Sequence, residues 1–381
     1  MANRRNSCND RVGIMQQGKD IEIFIAGSGP VGLTAAIELR RRDYSPRAVD
    51  PDLEVSRQSR ALAINPRTLD LLEQSGATEE LLAAGHRINR LLVRHNSQQL
   101  FYFNLNLARH RFNFLLSLPQ SRTEEVLAST LARHGGTVER GTALEGFKAA
   151  GGKMEIGLSN GSSAVADILI GADGSHSTVR KSLGLGFPGE SAEQVFGLAD
   201  VELDAWPFPW DQGVATLRED HVVAFIPMRE GFGRFITTKP GTMNLLPVEA
   251  KPSRVVWQSE FRISYRQAET YQKGNVYLAG DAAHMHSPVG GRGMNLGIED
   301  ACWLAWLIDQ GRAGEYTANR HPIGAKVLKL TAQPTNLLTA NGLVAKILRR
   351  WIIPNVLGSN SVQRRMLPSM LALDTPAPPW L

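Results

Sequence analysis

Apolar and polar positions along the chain fall into blocks that switch period, and the switches mark its elements. Residues 21–26, Ile-Glu-Ile-Phe-Ile-Ala, are a mostly β-branched and aromatic run that stops at Gly27, the pattern of a buried central strand. Over 29–42 small and apolar residues recur at helical spacing (Leu33, Ala36, Ile37), and Arg40, Arg41 and Arg42 supply cations suited to a helix C-terminus. Ala48-Val49-Asp50 reads as a second strand. Strand, glycine turn, helix and strand form a βαβ unit, which crosses over right-handed in a parallel sheet.

Helical spacing returns at 65–76 and 123–134, each with a polar start and a glycine stop, Gly76 and Gly135. Between them, 91–93 and 100–103 read as strands, 142–158 as a hairpin around Ala150-Gly151-Gly152, and 166–172 as another buried strand. Residues 185–265 alternate in period two with Pro and Gly breaks, which predicts an inserted, mostly antiparallel sheet. Residues 276–279 resume the buried-strand pattern. A glycine-rich loop then leads into a helix stepping through Met294, Ile298, Ala301, Ala305 and Ile308. From 316 onward the chain reads as helical, with prolines at 322, 334 and 354 and an extended tail over 375–381. The predicted division is a disordered tail over 1–20, a nucleotide-binding α/β part over 21–184, the inserted sheet over 185–265, a return to the first part over 266–345, and a C-terminal helix and tail over 346–381. Strands around 90–118 are candidates to join the inserted sheet.

Composition narrows the class. With 381 residues, 43% hydrophobic and 21% charged, 36 Gly and 20 Pro, the chain is neither disordered, collagen-like nor coiled coil, and it is long enough for about two domains. The net charge of +5 comes from arginines spread along the chain, without the dense basic run of a nucleic-acid arm. Cys8 and Cys302 give neither a disulfide framework nor a metal-ligand spacing, so no metal is expected and a reducing compartment is favoured. The longest apolar stretch, 301–308, is too short to span a bilayer. The expected place is the cytoplasm.

Three clusters carry chemistry. Gly27-Ser28-Gly29-Pro30-Val31-Gly32 fits G-x-G-x-x-G between a strand and a helix. Its first glycine allows a tight turn, its second lets the backbone approach a pyrophosphate, and its third lets helix and strand pack closely. Asp50, 23 positions after Gly27, can accept from ribose hydroxyls. The plain alternative is a tight structural turn, and the motif alone does not separate FAD from NAD. The second cluster is an apolar strand running into Asp173-Gly174-Ser175, continuing to Arg180, at the edge where open α/β sheets bind ligands. In the third, Val276-Tyr277-Leu278-Ala279 runs into Gly280-Asp281-Ala282-Ala283-His284, followed by Pro288, Gly290, Gly291, Arg292, Gly293 and Asn295, a glycine loop that opens a helix with its amides free.

In this order, over about 250 residues, the three clusters resemble the FAD-dependent aromatic hydroxylases of the para-hydroxybenzoate hydroxylase fold, the single-component flavoprotein monooxygenases. The resemblance, which extends from about Ile21 to Leu373, implies an α/β protein: a Rossmann-like FAD-binding domain, an inserted mostly antiparallel substrate sheet and a C-terminal helical segment. It implies FAD on Gly27, Gly29, Pro30, Val31 and Gly32, with Asp50 on the ribose and Arg60 and Gln120 against the cofactor. Asp173 and Gly174 would touch FAD and the pyrophosphate of a nicotinamide cofactor. Gly280 and Asp281 would hold the ribityl chain. Pro288, Gly291 and Gly293 would lie along the flavin loop, and the amides of Met294 and Asn295 would face the flavin carbonyl. The implied reaction uses NAD(P)H as a transient co-substrate and molecular oxygen, through a flavin hydroperoxide, to hydroxylate a phenolic or polyketide-like aromatic. The protein then supplies binding, orientation and water exclusion. The implied partners are that small aromatic substrate and oxygen, with a homodimer left open and no nucleic acid or membrane segment.

Other features carry less. Pro288 can shape the oxygen pocket through its backbone carbonyl. His284 and His286 share its loop, where packing competes with a catalytic role. Phe225, Phe232, Phe235 and Phe261 either line an aromatic pocket or fill a core. Trp206-Pro207-Phe208-Pro209-Trp210 reads as a proline-broken rim loop, and 343–357 as a packed helix with a basic face rather than a membrane-surface helix. The segment 239–254 is shorter than in typical relatives, which puts the completeness of the substrate sheet in question. Two competing readings are an FAD dehydrogenase on the same scaffold and a flavin-binding protein without turnover.

Overall fold

The computed structural model describes residues 19–55, 61–286, 291–332 and 358–381. Its organising element is a six-stranded sheet in the order Gln272–Lys273, Val276–Leu278, Ile168–Gly171, Ile23–Ala26, Arg47–Asp50, Val138–Arg140. All neighbours are parallel except the first pair. Both faces of such a sheet are covered, and the central strands Ile23–Ala26 and Ile168–Gly171 are buried at every position. The helix Pro30–Arg40 is buried nearly all round because it lies between the sheet and the helices Gln120–Arg133 and Arg292–Asp309. At its end Arg41 and Arg42 close on the buried Glu38 at 2.8 and 2.6 Å.

The period-two region forms most of an eight-stranded sheet, in the order His284–Met285, Lys251–Gln267, Gly189–Ala205, Phe232–Thr237, Val222–Arg229, Gln212–Leu217, Arg90–His95, Gln98–Asn104. Its one parallel contact joins Gln212–Leu217 to Arg90–His95. The strand Leu115–Ser117 instead bridges Ala63–Ile64 and His86–Ile88 in a small separate sheet. The 144–158 hairpin turns on Gly151 and Gly152 at φ 59° and 83°, the two positive dihedrals of a type I′ turn.

One face of the large sheet is sealed by Ala199, Val201, Val223, Phe225 and Phe235. Trp206 closes on Phe225 and Phe235 with ring centroids 4.4 and 5.8 Å apart. Phe225 and Phe235 are therefore core residues, 1% and 0% exposed, packed under Trp206. The short segment after Lys239 does not leave this face bare, since Met243, Leu245 and Leu246 pack onto it.

The helix expected over 65–76 stops at Glu73, and Gly76, at φ 81°, starts a second helix, Ala77–Ala84, that the apolar spacing did not separate. The helix expected from 123 begins at Gln120, where Pro119 caps it and the Gln120 amide donates to the Ala61 carbonyl at 3.1 Å. After the helix Asn360–Met370 the tail is irregular rather than extended, and it lies along the helix Arg292–Asp309: Asp374 meets Arg292 at 2.9 Å, and Trp380 packs against Trp303 and Trp306. Of the tail expected over 1–20, residues 1–18 lie outside the described residues, while Lys19 is tied to Asp43 and Asp309. The basic helix expected over 343–357 also lies outside them. No helix among the described residues is long and apolar enough to cross a membrane.

Candidate functional site

Three neighbouring parallel strands end in the three motifs, so the motifs meet along one sheet edge. Ile23–Ala26 runs into Gly27, Ile168–Gly171 into Ala172-Asp173, and Val276–Leu278 into Ala279-Gly280. The ladder continues past the strands: the Gly27 amide donates to Val49 O at 2.9 Å, Ala172 to Ala26 O at 2.8 Å and Ala279 to Gly171 O at 3.0 Å.

The first turn is as tight as the glycine pattern requires. A methyl group on Gly27 would fall 2.3 Å from the Ala172 carbonyl oxygen, and one on Gly32 would fall 1.9 Å from that of Gly27. At Gly29 a methyl group would meet nothing within 4 Å, so the middle glycine faces open space. Gly29 caps the helix and Pro30 opens it, which leaves the Gly29, Val31 and Gly32 amides without partners inside the helix. Val31 is partly exposed. Asp50 closes the turn from the next strand, accepting from the Ser28 amide at 2.6 Å and the Asp52 amide at 3.0 Å. Each of its carboxylate oxygens keeps acceptor capacity.

In the second turn Asp173 Oδ2 accepts from the Val179 amide at 3.1 Å, and Gly174 takes φ 74°. The buried Arg180 links this turn to the third, donating to Ser175 O and to Ala282 O, both at 2.9 Å, with its guanidinium 3.8 Å from the Phe187 ring centroid. Burial lowers the Arg180 pKa, and the negative charge of Asp173 opposes that shift.

The third turn, Gly280–Ala282, presents Asp281 exposed at its tip. A methyl group on Gly280, at φ 60°, would meet Val31 Cγ2 at 2.7 Å, so this turn packs directly on the first. Beneath it lies a buried ionic cluster that the sequence reading missed: His284 Nε2 and Asp300 Oδ2 are 2.6 Å apart, and Arg320 donates to Asp300 Oδ1 and Glu299 Oε1, both at 2.7 Å. Burial alone would push the Asp300 carboxyl up, but Arg320 and His284 hold it below the usual carboxylate range. His286 stacks on His284 with ring planes 7° apart.

The following helix, Arg292–Asp309, is capped by Gly291 at φ 61°. Its open amides are those of Arg292, Gly293 and Met294, while the Asn295 amide sits where the helix bonds back to Gly291. The Asn295 side chain accepts from Asn65 N at 3.0 Å and Thr68 Oγ1 at 2.7 Å, and it donates to Ala63 O at 2.8 Å and Gly291 O at 2.5 Å. Gln120, beyond the neighbouring small sheet, accepts from the Ala61 amide at 3.3 Å and donates to Glu124 at 2.8 Å. Arg60, Pro288 and Gly290 lie outside the described residues. Among the described residues no group of three or more His, Cys, Asp or Glu side chains is placed to hold a metal.

The edge is suited to a large polar ligand. Ser28 Oγ and Asp173 Oδ1, one in each of the first two turns, are buried without a hydrogen-bond partner among the described residues. With the open amides at two helix starts and the carboxylates of Asp50 and Asp281, they offer donors to phosphates and acceptors to hydroxyls, as a dinucleotide requires.

Comparison with known proteins agrees. A family model described as FAD binding domain matches residues 20–244 and 242–331. The chain is 36% identical over 356 residues to 6-methylpretetramide 4-monooxygenase of Streptomyces rimosus, a match covering 86% of this chain and 64% of that relative. It is 30% identical over 345 residues to rifampicin monooxygenase of Streptomyces venezuelae, covering 84% and 72%. It thus spans less than two thirds of the first relative's length. The fold is similar to that of p-nitrophenol 4-monooxygenase of Pseudomonas putida, with a TM-score of 0.81 at 20% identity over 92% of this chain and 98% of the other.

Proposed function

We propose, from the premise that the chain belongs to the FAD-dependent aromatic hydroxylases of the para-hydroxybenzoate hydroxylase fold, that it is a monooxygenase taking NAD(P)H and molecular oxygen to hydroxylate a phenolic or polyketide-like aromatic. The observation that carries this reading is the meeting of three motif turns at one sheet edge of a chain matched by an FAD-binding family model.

In this reading the Gly27–Gly32 turn, including Gly29, Pro30 and Val31, holds the pyrophosphate, and Asp50 accepts from the ribose. Gln120 and Arg60 lie along the cofactor, with Asp173 and Gly174 beside it. Gly280 and Asp281 hold the ribityl hydroxyls, and the open amides of Gly293 and Met294 at the start of the helix Arg292–Asp309, behind Gly291, face the flavin carbonyl. Asn295, whose amide and side chain are engaged within the protein, acts by fixing that helix start rather than by the direct contact expected of it. When bound, FAD would supply the redox and oxygen chemistry. The chain's task is to bind, orient and keep water out, with Pro288 shaping the oxygen side through its backbone. His286, stacked on His284, is assigned to packing that loop ahead of proton transfer.

The test is a visible spectrum of the purified protein, identification of the released cofactor, and NAD(P)H oxidation with and without a panel of phenols and polycyclic aromatics under isotopic oxygen. Bound FAD, reduction quickened by an aromatic, and one labelled oxygen atom in the product are expected. Steady NAD(P)H oxidation with no labelled product across the panel counts against the monooxygenase.

A further inference from the structure

We propose that Asp300 and His284 are positioning residues that fix the turn presenting Asp281 to the cofactor. The proposal deepens the reading above and rests on it.

The turn runs from Gly280 to His284, and both of its ends are held by one carboxylate oxygen. Asp300 Oδ2 accepts from the Gly280 amide at 3.4 Å and meets His284 Nε2 at 2.6 Å. The other oxygen, Oδ1, is fixed by Arg320 at 2.7 Å, and Glu299 holds the same guanidinium. Asp300, His284 and Arg320 are 0%, 1% and 2% exposed, so water does not compete for these bonds. Since Asp300 accepts at Nε2, that nitrogen carries the proton, and Nδ1 is buried without a partner among the described residues. Two carbonyls of the turn are taken from outside, Ala282 O by Arg180 at 2.9 Å and Ala283 O by the Ala268 amide at 2.8 Å, and Gly280 O accepts from the Ala283 amide at 2.8 Å. Only the tip, Asp281, faces solvent.

Burying such a cluster is not explained by stability, since well-packed apolar groups of similar volume would serve as well or better. What an ionic cluster adds is geometry: a carboxylate with two fixed oxygens allows one placement of the groups it binds. The packing leaves Gly280 no alternative, because Val31 Cγ2 sits where its Cβ would be and Gly297 brings the helix to the same spot. A shift of the turn would therefore move Asp281 and press on the phosphate turn together.

The experiment compares His284→Gln with His284→Asn. Both replacements are polar and both carry an N–H, but only the longer amide reaches the position of Nε2. FAD affinity is measured by titrating apoprotein, alongside apoprotein melting temperatures. Wild type should bind FAD, the Gln variant should hold it nearly as well, and the Asn variant should lose about tenfold or more, at similar apoprotein stability. Equal affinities in the two variants, or a difference that only follows their melting temperatures, would overturn the proposal. Wild type that cannot be loaded with FAD would instead overturn the functional reading beneath it.

Discussion

Asp281 and His286 lie five residues apart, yet their surroundings give them different duties. Asp281 projects exposed from a turn whose Gly280 amide and Ala282 carbonyl are held by Asp300 and Arg180, which suits its carboxylate to the ligand role proposed above. His286 lies flat against His284, 5.7 Å between ring centroids, as part of the packing. Asp281→Ala should therefore weaken FAD retention by about tenfold or more, the loss of a charged acceptor, while His286→Ala changes it little. Cofactor retained after gel filtration reports both, and equal retention would remove Asp281 from the ribityl site. The same scale shows why Gly32 is irreplaceable: with 1.9 Å between an added methyl group and Gly27 O, helix and strand would have to part.

At the scale of elements, the helix Arg292–Asp309 is held at its first turn by one side chain. Asn295 fills all its bonding capacity by joining that turn to Ala63, Asn65 and Thr68. Asn295→Ala strands several buried groups and should cost about 3 kcal/mol, read as a lower denaturant midpoint with an unchanged slope. How much could be read in advance follows from the range of the interactions. The unit from Ile23 to Asp50 was legible because its glycines, apolar runs and terminal acid are local signals of backbone geometry. The alternation of Phe225 and Phe235 gave a strand and a shared face, but not which face of the sheet is sealed, which depends on Trp206 folding over them. Asn295 bonds to residues 230 positions away, and Arg320 to carboxylates 20 and 21 away on another helix. No periodicity announces such pairings. The helix Ala77–Ala84 was missed for another reason, since Gly76 reads equally as a stop and as a joint.

At the scale of the molecule, the two large sheets are not independent. The edge strand of the eight-stranded sheet, His284–Met285, is continuous in the chain with the Gly280–Ala282 turn, and it pairs with the end of the long strand Lys251–Gln267. A cofactor held at the turn, as proposed, would therefore stabilise the second sheet through covalent and hydrogen-bonded continuity. FAD should raise the melting temperature of one cooperative transition, by an amount that grows with the logarithm of its concentration, as followed by far-ultraviolet circular dichroism. Two separate transitions, only one of them responding to FAD, would show that the sheets unfold apart.

Trp380 rests 5.2 Å from Trp303 and 4.9 Å from Trp306, centroid to centroid, and those two indoles are 5.9 Å apart on the helix whose first turn Asn295 secures. Rings this close exchange excitation, and their absorption acquires a chiral signature set by the angles between them, 71°, 31° and 89°. The chain thus carries an optical reporter of its own, separate from any bound chromophore. When the last residues lift away, the Trp380 couplings are lost and the band reduces to that of the Trp303–Trp306 pair on the helix, so the seating of the tail can be watched without a label.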